Sequence, residues 1–126
     1  MRALVFGTFD RLHPGHRHFL EKALTFGELW IVVARDRTVK TIKGKMPMQS
    51  EEERRRAVAQ AFPSAHVILG DENDYLAPVR AVQPDRILLG YDQSLPPGVD
   101  ERDLPCPAER LTPFEPERWK SSKLRT

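Results

Sequence analysis

The 126-residue sequence carries a single cysteine, Cys106. One cysteine excludes an internal disulfide and a cysteine-built zinc cluster, and it fits a reducing, cytoplasmic setting. Long hydrophobic runs are also missing. None approaches the roughly 20 residues that a membrane span needs, so no membrane partner is expected. The first residues read as a strand rather than a charged leader, and no signal peptide is expected. Aromatic residues make up only 8% of the chain. They are not interleaved with basic ones, which argues against a nucleic-acid surface. No internal repeat or low-complexity tract occurs. What remains is an ordinary globular composition, 40% hydrophobic and 30% charged, on a length that supports one core and a single domain over residues 1–126.

Net charge is only +2, but it is unevenly spread. Residues 35–45 hold five basic side chains against one acid, and residues 117–126 hold four against one. The rest of the chain is therefore acidic. Two basic segments on an acidic background point to a localised anion site.

Hydrophobic patterning alternates strands with helices. Arg2 to Phe6 reads as a first strand and Pro14 to Phe26 as a first helix, with proline at the position where its missing N–H costs nothing. Gly27 ends that helix. Leu29 to Ala34 is a continuous apolar, β-branched run, expected for a parallel strand buried on both faces. Arg35 to Gln49 reads as a loop containing Gly44 and Pro47. Ser50 and Glu53 form the sequence signature of a capping box at the start of a second helix, followed by Pro63. His66 to Leu69, Asp74 to Val82 and Arg86 to Leu89 then read as strand, helix and strand. Six of the eleven prolines fall between Ser94 and Pro116, an extended region around a short fifth strand near Glu109 to Thr112. The expected fold is α/β, a Rossmann-like three-layer α/β/α arrangement with a five-stranded parallel sheet. In such sheets ligands bind beyond the carboxyl ends of the strands. Gly7-Thr8, Arg35-Asp36 and Gly90-Tyr91-Asp92 end the first, second and fourth strands and should open on one rim.

The densest chemistry lies where the first strand turns into the first helix: Gly7-Thr8-Phe9-Asp10, then His13-Pro14-Gly15-His16. A helix N-terminus with its unpaired N–H groups favours anions. His13 and His16, three residues apart, should face the same side of the first turn. Gly15 between them lets backbone approach a phosphate closely. Asp10 suits a loop-orienting carboxylate better than a base. Asp10, His13 and His16 have a spacing that permits a divalent metal, but no third histidine or cysteine accompanies them, and no protein-ligated metal is expected. Cys106 sits among prolines with nothing to activate it.

Gly7-Thr8-Phe9-Asp10 followed by His13-Pro14-Gly15-His16 resembles the GTFD and HxGH motifs of the cytidylyltransferase-like nucleotidyltransferases. Trp119-Lys120-Ser121-Ser122-Lys123-Leu124-Arg125 resembles that family's late motif, with Lys120 standing at its first hydroxyl position. The resemblance implies nucleotidyl transfer. A phosphate on the acceptor attacks the α-phosphate of a nucleoside triphosphate, pyrophosphate leaves, and Mg2+ travels with the triphosphate. It implies His13, His16 and Lys45 as catalytic residues. Gly7, Thr8, Phe9, Asp10, Pro14, Gly15, Gly90, Asp92 and Trp119 would hold the nucleotide, with Ser121, Ser122 and Arg125 cradling its β- and γ-phosphates. Lys43 and Arg54 would meet the acceptor, although Arg54 can equally pair with Asp36. A homodimer is also implied.

Within the family, Ala34-Arg35-Asp36 and Leu89-Gly90-Tyr91-Asp92-Gln93 look most like the archaeal-type FAD synthases, which adenylate FMN. Glycerol-3-phosphate cytidylyltransferase is the alternative, but such enzymes tend to carry Gly-Asp-Asp-Trp-like residues where this chain has Gly90-Tyr91-Asp92-Gln93. A nucleotide-binding module without catalysis is the alternative of another class. A flavin also needs an apolar slot, and the few aromatics do not mark one.

Overall fold

The computed structural model describes residues 1–90, 93–95 and 98–111. Within them, five strands form one parallel sheet: β1 (Arg2–Gly7), β2 (Glu28–Val33), β3 (His66–Leu69), β4 (Arg86–Leu89) and β5 (Ala108–Arg110). Four α-helices among the described residues connect or flank them: α1 (Pro14–Leu24), α2 (Asp36–Lys43), α3 (Glu51–Ala61) and α4 (Ala77–Val82). The strand order is β3-β2-β1-β4-β5. The chain thus builds outward from β1 on one side, then returns to β1's other edge. The direction of growth reverses between β1 and β4, and a doubly wound sheet opens its binding crevice at that point.

Alternation along β1 explains the three layers. Ala3 and Val5 face a core shared with Leu20 and Ala23 of α1 and Val58 of α3. Leu4 faces the other side, against Val79 and Val82 of α4. Both faces are covered, so the central strands read as continuous apolar runs rather than as alternating ones. Register puts Gly7 opposite Val33 and Val5 opposite Leu88, so the strands end together on one rim.

Several boundaries differ from the sequence reading, β5 (Ala108–Arg110 rather than Glu109 to Thr112) among them. The segment 35–49 is not a loop throughout, because Asp36–Lys43 is helical. Thr38 and Val39 are its only buried residues, too short an apolar face to give a periodic signal. Its end is well marked: Gly44 adopts the left-handed conformation at φ 83° and bonds back to the Lys40 carbonyl. The helix expected from Asp74 begins only at Ala77, because Asp74 spends its carboxylate on the turn, accepting from the Leu76 N–H. Helix α1 ends at Leu24, with Thr25 as its cap.

Gly27 is fixed by the start of the chain. Its φ is 132°, and a Cβ there would sit 2.4 Å from the Met1 carbonyl oxygen, which also accepts the Glu28 N–H at 2.9 Å. Gly27→Ala is expected to cost on the order of 1–3 kcal/mol through backbone strain. Urea denaturation checks this, and an unchanged midpoint would contradict it.

Candidate functional site

The turn after β1 is held in a conformation that ordinary residues avoid. Phe9 and Arg11 both have positive φ, 53° and 55°, and such residues typically cost about 1–3 kcal/mol each unless their surroundings over-determine them. Here they do. The Phe9 ring lies over Gly7, where a Cβ would come within 2.4 Å of it, and it is buried in the core. The Asp10 carboxylate accepts the Met48 and Gln49 N–H groups at 2.8 and 2.9 Å. The Arg11 N–H donates back to Gln49 Oε1 at 2.9 Å. Partial burial works against the Asp10 charge, but those two backbone bonds and the positive Arg54 and Arg11 hold its carboxyl below the usual range. Asp10 therefore fastens the turn to the segment before α3, the loop-orienting role, and Phe9 leaves only its backbone for a nucleotide.

The helix that follows is capped by its own candidate catalytic residues. His13 is the N-cap of α1, and its Nδ1 accepts the Gly15 and His16 N–H groups at 3.1 and 3.4 Å. His16 Nδ1 in return accepts the His13 N–H at 3.4 Å. The pattern is a capping box in which both side chains are imidazoles. Pro14 has no N–H, and the Arg17 N–H is taken by the His13 carbonyl. The first turn thus presents no free backbone donor, unlike the bare anion site expected from sequence. Its donors are imidazole edges instead. Because each Nδ1 accepts, each proton sits on Nε2, and the two rings stack at 3.6 Å between centroids. Gly15 is required beside them: a Cβ would lie 3.0 Å from His13 Cε1.

His16 packs edge-on against Phe9 at 5.5 Å. Burial, reinforced by the neighbouring His13 and Lys43, lowers its pKa from 6.5 to about 4. At neutral pH it is an uncharged donor. The same effect places Lys43, at the end of α2, within electrostatic reach of the ring. Lys45 follows on the exposed segment.

Arg54 is not an acceptor contact. It is fully buried and donates to the carbonyls of Thr8, Ala34 and Gln49 at 2.9, 2.8 and 3.1 Å, and to Asp36 Oδ1 at 2.6 Å. Every donor group is turned inward, which corrects its assignment as a substrate residue. Pairing with Asp36 was the reading that sequence left open.

Two residues escaped the sequence reading. Gln93 spans the crevice: its amide donates to the Phe6 carbonyl at 2.9 Å and accepts the Gly90 N–H at 3.0 Å, tying the ends of β1 and β4. Arg110 Nη1 donates to the Gly90 and Gln93 carbonyls at 2.8 and 2.7 Å. Gln93 closes the Leu89 to Gln93 segment noted in the sequence, but its link to Phe6, like the contacts of Arg110, runs to backbone atoms distant in sequence. Gly7 ends β1 and Thr8 follows it, Pro14 and Gly15 lie between the two histidines at the start of α1, and Gly90 follows β4. Asp92, Trp119, Ser121, Ser122 and Arg125 lie outside the described residues. Burial and the nearby Asp85 charge push the Cys106 thiol up, which disfavours its reactive thiolate form.

Residues 4–104 match the cytidylyltransferase-like family. The chain is 43% identical over 99 residues to an FAD synthase of Methanosphaerula palustris, covering 78% of this chain and 63% of that one. It is 38% identical over 122 residues to the FAD synthase of Halalkalicoccus jeotgali, covering 92% and 84%. To that of Ferroglobus placidus it is 47% identical over 93 residues, covering 73% and 60%. The chain thus spans less than two thirds of two of these relatives. Its fold matches the crystal structure of a lipopolysaccharide core biosynthesis protein from Thermoplasma volcanium, with a TM-score of 0.77, 33% identity and 90% and 98% coverage.

Arg54→Met would leave Asp36 and three carbonyls without their donor, and removing one member of a buried pair costs on the order of 3–5 kcal/mol; chemical denaturation reads this. For His16, the unfolded chain takes up a proton near pH 6.5, while the folded chain resists it until about 4. Its contribution to stability is complete above the higher value and is lost as pH falls towards the lower one. The stability difference between the parent and His16→Gln should therefore shrink on acidification, and a pH-independent difference would contradict the assignment.

Proposed function

The chain belongs to the cytidylyltransferase-like family, and from that membership we propose that it is an FMN adenylyltransferase, joining ATP and FMN into FAD with release of pyrophosphate. The identity to three archaeal FAD synthases carries the choice of reaction. The stacked imidazole pair at the carboxyl rim supports the chemistry.

An oxygen of the FMN phosphate attacks the α-phosphorus of ATP. A new P–O bond forms, the bond to the bridging α–β oxygen breaks, and its electron pair leaves with pyrophosphate. The acceptor phosphate is already ionised at neutral pH, so no side-chain nucleophile or base is needed. The protein has to position two anions and stabilise the charge that builds up during transfer. His13 and His16 do so through their Nε2–H groups, held in place by the cap and needing no reorganisation. Lys43 and Lys45 offset the charge of the incoming acceptor. The glycine-bounded rim between β1 and β4 takes the nucleotide.

Among the described residues no three histidine, cysteine or acidic side chains lie close enough together to hold a metal ion. Mg2+ enters with the triphosphate, as part of the substrate, in this proposal. The homodimer and the cytoplasmic setting belong to the same proposal, and light scattering tests the first. No helix among the described residues is long and apolar enough to cross a membrane.

Pyrophosphate release is measured with ATP or CTP against FMN and glycerol 3-phosphate. ATP with FMN is the pair expected to react, and His16→Ala should slow turnover on the order of 100- to 1000-fold, the effect of losing one positioned donor. Turnover only with CTP and glycerol 3-phosphate would replace FMN as the acceptor. Nucleotide binding without pyrophosphate from any pair would make the chain a binding module.

A further inference from the structure

Among the described residues, four large apolar side chains are exposed: Met1, Ile42, Met46 and Met48. Three of them fall within residues 42–48, at 48, 52 and 75% exposure. Scattered single apolar residues on a surface are ordinary, but a run of them beside a site is not. This run is interleaved with Lys43 and Lys45, and it is not loosely attached. Gly44 closes α2 in the left-handed conformation, so the chain turns sharply between Ile42 and Met46. The Met48 N–H is then bound by Asp10, three residues before His13. A backbone bond thus anchors an outward-facing methionine to the turn that carries the imidazoles, while the charge of Lys43 is felt at His16.

We propose that Ile42, Met46 and Met48 form the platform on which the flat ring system of a flavin acceptor rests, with Lys43 and Lys45 receiving its phosphate. The assignment rests on the reading of the chain as an FMN adenylyltransferase and adds how the acceptor is chosen. Lysines alone would serve any phosphate, glycerol 3-phosphate included. An apolar surface beside them is useful only to an acceptor that also brings an apolar plane. Methionine is well suited to such a surface, because its thioether is polarisable, packs favourably on aromatic rings, and adapts its flexible stem to the ligand. The sparse aromatics of the sequence are no obstacle, because the slot is built from flexible apolar side chains rather than stacked rings.

The test compares the parent with the double variants Met46→Gln/Met48→Gln and Met46→Leu/Met48→Leu. Flavin fluorescence reports binding of FMN and of riboflavin, which keeps the ring system and lacks the phosphate. The glutamine pair should weaken both flavins at least about tenfold, the scale of discrimination from lost apolar contact, while KM for ATP stays within about twofold. The leucine pair should bind as the parent does. Unchanged flavin affinity in the glutamine pair, with the parent still making FAD, overturns the platform and leaves the activity standing. A leucine pair as weak as the glutamine pair also overturns it. A parent that neither binds FMN nor adenylates it removes the proposed function and the platform together.

Discussion

The guanidinium of Arg54 is the constraint on which the rim of the sheet depends. It sits fully buried at the junction of four segments: the turn after β1, the end of β2, the residue before the α3 cap and the first residue of α2. Burying a charge in this way is tolerable only because its donors are satisfied by carbonyls and by Asp36. Around it the acidic start of α3 is used a second time. Glu51 accepts the Asp36 N–H at 2.9 Å, which caps α2, and pairs with Arg35 at 3.0 Å. Arg35 Nε in turn donates to the Gly70 carbonyl beyond β3 at 2.7 Å. One ionic cluster thus aligns the carboxyl ends of three neighbouring strands. The strained turn bearing Phe9 and Arg11 is assembled on that base rather than on its own local preferences.

Much of this was readable in the chain because it is local. The strand runs, the Ser50–Glu53 box and the two histidines at a three-residue spacing all express interactions within one turn of helix or one pleat. The box forms as expected, with Ser50 and Glu53 bonding reciprocally at 2.8 and 3.1 Å. What sequence left unread depends on tertiary partners. Helix α2 has too few apolar positions to announce itself, and its start is secured by a carboxylate fifteen residues away. Arg54 looked like a candidate anion contact because nothing in a linear reading tells whether a guanidinium faces inward. Gln93 and Arg110 act on carbonyls that only the sheet topology brings near them.

The crevice itself is narrower in function than its topology alone implies. At the point where a doubly wound sheet parts, the amide of Gln93 joins the two strand ends, and Arg110 braces that join from β5. The β4 side therefore has a polar, hydrogen-bonded edge, whereas the chain that follows β2 brings the lysines and exposed apolar residues of 42–48. Such an asymmetric mouth can orient a molecule that has two unlike ends, because each end finds only one compatible edge.

The histidine cap has an evolutionary side. In most proteins the groups that do chemistry are tolerated at some expense to the fold, and drift can trade one property for the other. His13 is placed differently, because the nitrogen that caps the start of α1 belongs to the ring whose opposite nitrogen the proposed transfer uses. Serine or asparagine would keep a cap at this position, but neither side chain reaches as far from the backbone as the Nε2 of the imidazole. Selection for a durable protein and selection for a working one therefore act on this position in the same direction.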